Sequence, residues 1–400
     1  MLRLALRNIF RQWLRTGLTL LAIATGVTGL ILSGGFVEDV YLQLGEATIH
    51  SQLGHLQVAN AGYRSAGRTD PYKFMIDDPA QVTRALDALP HVIQTARRIA
   101  FSGLLNNGRG ETPILGEGVE PEKETRLGTS VKIIAGRPMR ATDEDGVLLG
   151  QGVAERLDLK PGDTVTILLN TTTGALNTLD FTVIGVFQSF SKDYDARAVR
   201  INLAACKELL STKAVHSVVV LLDETKATDE VVAASRLALP GFDIKAWYDL
   251  DDFYAKTVEL YRRQFGVLQL IVLVMVLLSV ANTMNMALHE RVGEFGTMMA
   301  LGNRRGFIFR MIVLESGLLG VIGAALGLVL GLLLAWGISL VGIPMPPPPN
   351  SNVGYTAAIQ IRSVVIEIAF VIGVAAAVVA ALLPAGRVSR IPVVQALRQN

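Results

Sequence analysis

From Glu38 to Arg263 the chain is charged and mixed in pattern for 226 residues, framed by one uncharged apolar run before it and by further runs after it. An α-helix needs roughly 20 apolar residues to cross a hydrocarbon core about 30 Å thick. Thr16–Val37, Gln264–Leu288 and Ile368–Gly386 carry no charge, and the uncharged stretch Ser316–Ile361 has room for a helix over Met311–Val341 and a loop. The layout predicts an α-helical membrane protein with four transmembrane helices and a large mixed α+β extracytoplasmic domain between helices 1 and 2. A hydrophobic share of 50% and a mean hydropathy of +0.42 agree with that class.

Charge sets the expected orientation. Arg3, Arg7, Arg11 and Arg15 precede the first run with no acid among them, and Arg387, Arg390 and Arg398 follow the last with none. The loop 288–310 adds Arg291, Arg304, Arg305 and Arg310 against Glu290 and Glu294. These segments share one side, and the positive-inside rule makes it the cytoplasm. The large domain holds 25 basic and 31 acidic residues, so it is acidic and gives no reason to expect nucleic acid. The expected boundaries are a cytoplasmic interfacial helix over 1–15, spans over 16–37, 264–288, 311–341 and 363–383, and an extracytoplasmic domain with its stalk over 38–263. A cytoplasmic loop over 289–310, an external proline-rich loop over 342–362 and a cytoplasmic tail over 384–400 complete the chain. The first span reads as an uncleaved anchor in a bacterial inner membrane.

Within the domain, Gly54–Ala59, Ile99–Leu105, Pro113–Val119, Gly146–Leu149, Thr164–Leu169, Leu179–Phe187 and Ser217–Leu222 read as strands. Asp78–Leu89, with an acidic cap and a proline at its start, reads as a helix, as do Gln151–Leu157, Leu203–Leu210 and Asp229–Leu239. At this size the domain suggests two subdomains, a β-rich part inserted in an α+β frame. The helical pattern of Leu250–Leu288 is continuous, so the second span is expected to begin as a stalk. Cys206 is the one cysteine, which excludes an internal disulfide.

Catalytic motifs are absent: the 400 residues hold no G-x-x-x-x-G-K-[ST], G-x-S-x-G, H-E-x-x-H or C-x-x-C. His50 with His55, or Asp193 with Asp195, are weak as metal pairs, and no metal is expected. The distinctive chemistry lies in 288–310. Glu290–Ala300 reads as a short helix closed by Gly302-Asn303, with Phe295, Met298, Met299 and Leu301 as apolar bulk beside Glu290, Arg291 and Glu294. Such a helix either docks in a groove of a soluble partner or rests on lipid.

The run Asn282…Glu290-Arg291-Val292-Gly293-Glu294-Phe295…Ala300-Leu301-Gly302…Glu315-Ser316…Gly320 resembles the signature of FtsX-like and MacB-type ABC transporter permeases. The tail Pro384-Ala385-Gly386-Arg387…Ile391-Pro392-Val393 and the stretch Leu148-Leu149-Gly150…Lys160-Pro161-Gly162-Asp163 are similar to the family as well. Phe295 departs from the isoleucine usual there. The resemblance implies a permease subunit with no ATPase site of its own, a second permease chain, and a separate ABC ATPase dimer that binds ATP and Mg. Its coupling surface would be Glu290, Arg291, Glu294, Phe295, Met298, Met299, Leu301 and Gly302.

Small residues at Gly323, Gly327 and Gly331 suit close helix packing, which the resemblance places in a dimer. Glu315 and Glu367 read mainly as boundary anchors, with Glu367 beside Arg362. Pro344–Pro349 predicts a stiff loop. In layout the chain is similar to the lipoprotein-releasing branch, which implies a lipid-anchored cargo and a periplasmic carrier or adaptor. Phe36, Val40, Leu44, Phe253, Leu260, Phe265 and Leu268 are the cargo-facing candidates. The alternatives are a mechanotransmitting signal transducer that moves no cargo, an efflux permease working with an adaptor, and a membrane-anchored enzyme.

Overall fold

The computed structural model describes residues 13–66, 71–347, 351 and 354–393. Most of the interfacial helix expected over 1–15 lies outside them, as do Pro348 and Pro349 of the proline run. The chain forms two compact units. A helical unit takes the described residues up to Tyr41, then Val258–Pro344, then those from Thr356; a sheet unit takes Leu42–Thr257 with Met345–Tyr355. Among the described residues, four helices are long and apolar enough to cross a membrane, over Thr16–Leu53, Tyr254–Glu290, Arg305–Val341 and Ser363–Val388.

Helix α1 (Trp13–Thr48) passes into a π turn, Ile49–Leu53. Gly54 ends it at a φ of +65°, where an added Cβ would lie 2.4 Å from Val219 Cγ1 and 2.9 Å from Val220 O. Only glycine lets the chain leave the helix and enter the sheet this closely. The sheet unit continues with β1 (Leu56–Asn60), α2 (Pro79–Asp87), β2 (Val92–Asn106), β3 (Glu111–Val119), α3 (Pro121–Leu127), β4 (Lys132–Gly136) and β5 (Gly146–Gly150). Then come α4 (Gln151–Leu157), β6 (Thr164–Asn170), β7 (Leu176–Gln188), β8 (Ala198–Asn202), α5 (Leu203–Leu210), β9 (Ser217–Leu222), α6 (Thr228–Ala238) and β10 (Phe242–Ala246). Helix α2 starts where the sequence places its cap: Ala80 N–H and Gln81 N–H donate to Asp78 Oδ1 at 3.1 and 3.2 Å, with Pro79 in the first turn.

The strands form one sheet in the order β10-β1-β9-β2-β3-β8-β5-β7-β4, with β6 on β2 and β7. Strand β2 joins the halves. Its residues up to Arg98 pair with β9, and those from Ile99 pair with β3. The β-rich segment β3–β8 is thus inserted between β2 and β9. It does not make a separate subdomain core: Leu56, Val58 and Val218 of the frame share one buried cluster with Ile114, Val165 and Ile201 of the insert.

The helical unit holds α7 (Asp252–Glu290) from Val258 on, α8 (Val292–Ala300), α9 (Arg305–Val341) and α10 (Ser363–Val388), together with the described part of α1 up to Tyr41. At 1.5 Å per residue α7 is about 58 Å long, nearly twice the hydrocarbon thickness. Helix α9 is held on two sides by small residues. A Cβ at Gly323 would meet Ile23 at 2.9 Å, one at Gly327 would meet Ala24 O at 2.6 Å, and one at Gly320 would meet Ala377 Cβ at 2.9 Å. Thr28 Oγ1 donates to Gly327 O (3.0 Å) and Ser316 Oγ donates to Ala377 O (2.7 Å), so α1 and α10 are also hydrogen-bonded to α9.

Candidate functional site

The turn from α7 through α8 to α9 is built around one buried arginine. Arg291 stands between α7 and α8 and is 7% exposed. Its Nη1 donates to both carboxylate oxygens of Glu315 on α9, at 2.9 and 3.1 Å, and its Nε donates to Glu294 Oε2 at 3.2 Å. The guanidinium also lies over the Phe295 ring, 5.2 Å from its centroid. An arginine leaves water at bearable cost only when its charge is paired, as it is here, although Nη2 is buried without a hydrogen-bond partner among the described residues. Here the pairing fixes the start of α8 to the third turn of α9.

This geometry revises part of the expected coupling surface. Phe295 is 1% exposed and belongs to the core of the helical unit with Val280, Met311 and Ile312, so it and Arg291 brace the loop from within. Met298 and Met299 are half-buried against the same core. Glu290, Leu301 and Gly302 are exposed, Leu301 at 81%. Gly302 has a φ of +94°, and its N–H donates to Met299 O at 3.0 Å. Leu301–Gly302 and the following Asn303-Arg304-Arg305 form a projecting tip with an apolar point and two cations. Glu315, read from sequence as a boundary anchor, is instead the partner of Arg291. A lone acid in an apolar run was the available signal.

The stripe Gly323, Gly327 and Gly331, read from sequence as dimer or helix packing, serves helix packing within the chain. All three are buried against α1 of the same chain, through Ile23, Ala24, Val27 and Ile31, and leave no face there for a second chain. Of the cargo-facing candidates, Val40 and Leu44 are buried within the chain, and the Phe253 side chain lies outside the described residues. Leu260 and Leu268 are exposed, and Phe36 meets Phe265 edge to face, with centroids 6.1 Å apart. Arg362 pairs with Glu38 at 2.9 Å rather than with Glu367, which is exposed. Sequence reading also missed Asp39, whose carboxylate accepts from Ala358 N–H (2.9 Å) and from Gln360 Nε2 (2.8 Å).

No group of three or more His, Cys, Asp or Glu among the described residues could hold a metal ion. His55 Nδ1 accepts from Leu222 N–H at 3.2 Å, and its Nε2 lies 3.1 Å from Thr225 Oγ1, so both nitrogens are occupied. Burial lowers its pKa to about 4 and keeps the ring neutral.

Comparison with known proteins agrees with this architecture. The model of the MacB-like periplasmic core domain matches residues 16–237, and that of the FtsX-like permease C-terminal domain matches residues 266–393. The lipoprotein-releasing system transmembrane protein LolC of Xylella fastidiosa is 22% identical over 99% of this chain and 96% of its own length. Its counterpart LolE of Haemophilus influenzae is 21% identical over 79% of this chain and 75% of its own. The crystal structure of the periplasmic region of MacB from Actinobacillus actinomycetemcomitans aligns with 53% of this chain and 94% of that one, at 16% identity and a TM-score of 0.38.

Proposed function

This chain belongs to the FtsX-like permeases that carry a MacB-like periplasmic core domain, and we propose that it is the membrane subunit through which a separate ATPase drives release of lipid-anchored protein from a bacterial inner membrane. The observation that carries the cargo class is collinearity with a lipoprotein-releasing permease over 99% of this chain and 96% of that relative. The ATPase dimer would bind ATP and Mg and receive the exposed tip Leu301–Gly302 with Arg304 and Arg305. Since Arg291 and Glu315 fix α8 to α9, a push on the tip reaches α9 as a rigid displacement rather than being lost in a loose loop. With the basic segments on the inner side, as the positive-inside rule has it, this tip and both termini would face the cytoplasm. A second permease chain, identical or related, completes the membrane part, and a periplasmic carrier or adaptor takes up the cargo. Leu260 and Leu268 on α7, with the Phe36–Phe265 pair, are the residues proposed to line its path.

Co-purification followed by reconstitution with a lipidated reporter tests the reading. The wild-type complex should retain an ATPase and release the reporter only with ATP. Leu301→Asp should remove the ATPase while leaving the chain folded. Absence of any ATPase from the wild-type preparation would overturn the proposal. Retained ATPase with no reporter release, for any lipidated protein tried, would favour the mechanotransmitter that moves no cargo.

A further inference from the structure

Where α1 passes into the sheet, one histidine is set between two acceptors. His50, in the π turn, has its Nε2 3.4 Å from Glu46 Oε2 of α1 and its Nδ1 3.3 Å from Leu127 O, the last carbonyl of α3. Neither partner can donate, since one is a carboxylate and the other a backbone carbonyl. A neutral imidazole carries one N–H and serves only one of them, leaving lone pair against lone pair at the other. The charged ring, with two N–H groups, serves both.

The surroundings fix the carboxylate in that role. Thr225 Oγ1 donates to Glu46 Oε1 at 2.6 Å, which leaves Oε2 to the ring. Leu222 N–H donates to His55 Nδ1, so His55 carries its proton on Nε2 and donates it to Thr225 Oγ1 at 3.1 Å. Of titratable groups, Glu46 faces His50 from α1 and His55 faces it from the entry to β1. The two rings stand edge to face with centroids 5.8 Å apart, and a pKa of about 4 keeps His55 neutral. On α3, Glu124 is turned to Arg98 and Arg200, and Arg126 is exposed. Beyond His55, Asp223 is paired with His91. The side chains of His50 and Glu46 are 25% and 38% exposed, so protons reach them from solvent.

Helix α3 is tied to the end of α1 a second time. Its Glu124 Oε1 meets Arg98 Nη2 of β2 at 2.6 Å and Arg200 Nη1 of β8 at 3.3 Å, and these arginines donate to Gln52 O and Ser51 O of the π turn. Arginine keeps its charge at every pH a protein meets, so that tie is permanent. We propose that His50 supplies the tie that a proton can switch, a latch between the end of α1 and α3. Charged, the ring holds Glu46 and Leu127 together. Neutral, it keeps the carboxylate and lets Leu127 O go, because a hydrogen bond to a charged group is roughly twice as strong as one between neutral groups. The latch therefore shuts on acidification and opens as pH rises. It is built within the sheet unit and stands apart from the transport reading above.

The test uses the full-length chain in nanodiscs, in two samples: one labelled with 13Cε1-histidine, the other carrying a nitroxide at Thr129→Cys, an exposed position just beyond α3. Cys206 is fully buried, so the nitroxide goes to one site. Between about pH 5 and about pH 9, where Glu46 is a carboxylate, the His50 resonance should titrate. The nitroxide spectrum should pass from ordered to mobile with the same midpoint. The ratio of mobile to ordered label should change about fivefold, the worth of one hydrogen bond. His50→Gln should abolish the pH response and leave the label at its mobile end. His50→Arg, which stays charged, should abolish it at the ordered end. The His55, His91 and His216 resonances report whether each variant is folded. The latch is overturned if His50 titrates while the nitroxide stays ordered, or if His50 does not titrate in this range. A pH response that survives His50→Gln in a folded variant overturns it as well.

Discussion

At the scale of single residues the loop between α7 and α9 depends on a charge that would be costly if left alone. The Arg291 and Glu315 side chains are 9% and 11% exposed, and they bond through two hydrogen bonds. Glu315→Gln would break the better buried of the two pairs of Arg291, leaving Glu294 beside the guanidinium, and breaking a buried pair typically costs about 3–5 kcal/mol. Replacing both members, as Arg291→Met with Glu315→Leu, removes the uncompensated charge and should recover most of that loss, because apolar substitutes for a whole buried pair are often near neutral. Thermal unfolding of the purified chain distinguishes the cases. The single variant should melt well below wild type and the double variant close to it. A double variant as unstable as the single one would mean that the pair is not what holds α8 to α9. The comparison also separates folding from coupling, since a stable double variant that no longer supports ATP-dependent release would show that the ionic link itself carries motion.

At the scale of elements, the prediction concerns which glycines α9 can lose. Gly327 sits against backbone: an added Cβ would lie 2.6 Å from Ala24 O and 2.9 Å from Ala24 Cα. Gly337, on the same helix, would meet nothing within 4 Å. Gly327→Ala should therefore force α1 and α9 apart and destabilise by about 1–3 kcal/mol, in the range for overpacking. Gly337→Ala should be neutral or stabilise by up to about 1 kcal/mol through helix propensity. Paired melting curves of the two variants decide it, and equal shifts would contradict the packing assignment. The same helices show what sequence conveys. The apolar runs behind the four long helices were legible because length and absence of charge suffice, with no need to know a partner. Strand β8 was not, because Arg200 stands in the middle of five buried residues; the first half of β2 was hidden by Arg97 and Arg98 in the same way. Those charges are tolerated through carboxylates contributed by β3, by α3 and by Glu120 between them, and one-dimensional patterning cannot show such pairings. Within the candidate site, Gly302 announced the end of α8, whereas the inward turn of Phe295 depends on α9, which follows only later in the chain. The glycine stripe announced close packing but not its partner, since α1 lies about 300 residues upstream of it.

At the scale of the whole molecule, the four long helices are unequally supported by their own chain. Helices α1, α9 and α10 bury small residues against one another, while α7 leaves Leu268, Leu270, Ile271, Val274, Met275 and Leu278 exposed. In lipid such leucines carry no penalty by themselves, because the hydrocarbon is as apolar as they are. If a helix about 58 Å long transmits force, as the proposed function has it, the case differs, because a rod with few lateral contacts bends under load rather than conveying it. On that reading a face of α7 belongs to the second permease chain. A photo-crosslinking residue at Met275 should give an adduct of two permease chains in the native membrane, and the same probe at Trp336, exposed on α9, should give lipid adducts in its place. If Met275 captures only lipid while Trp336 captures protein, the dimer forms through α9, and the small-residue seam between α1 and α9 becomes the support for that interface. Protein adducts at Met275 that disappear when ATP is trapped on the ATPase would show more: the two α7 helices would be the parts that move.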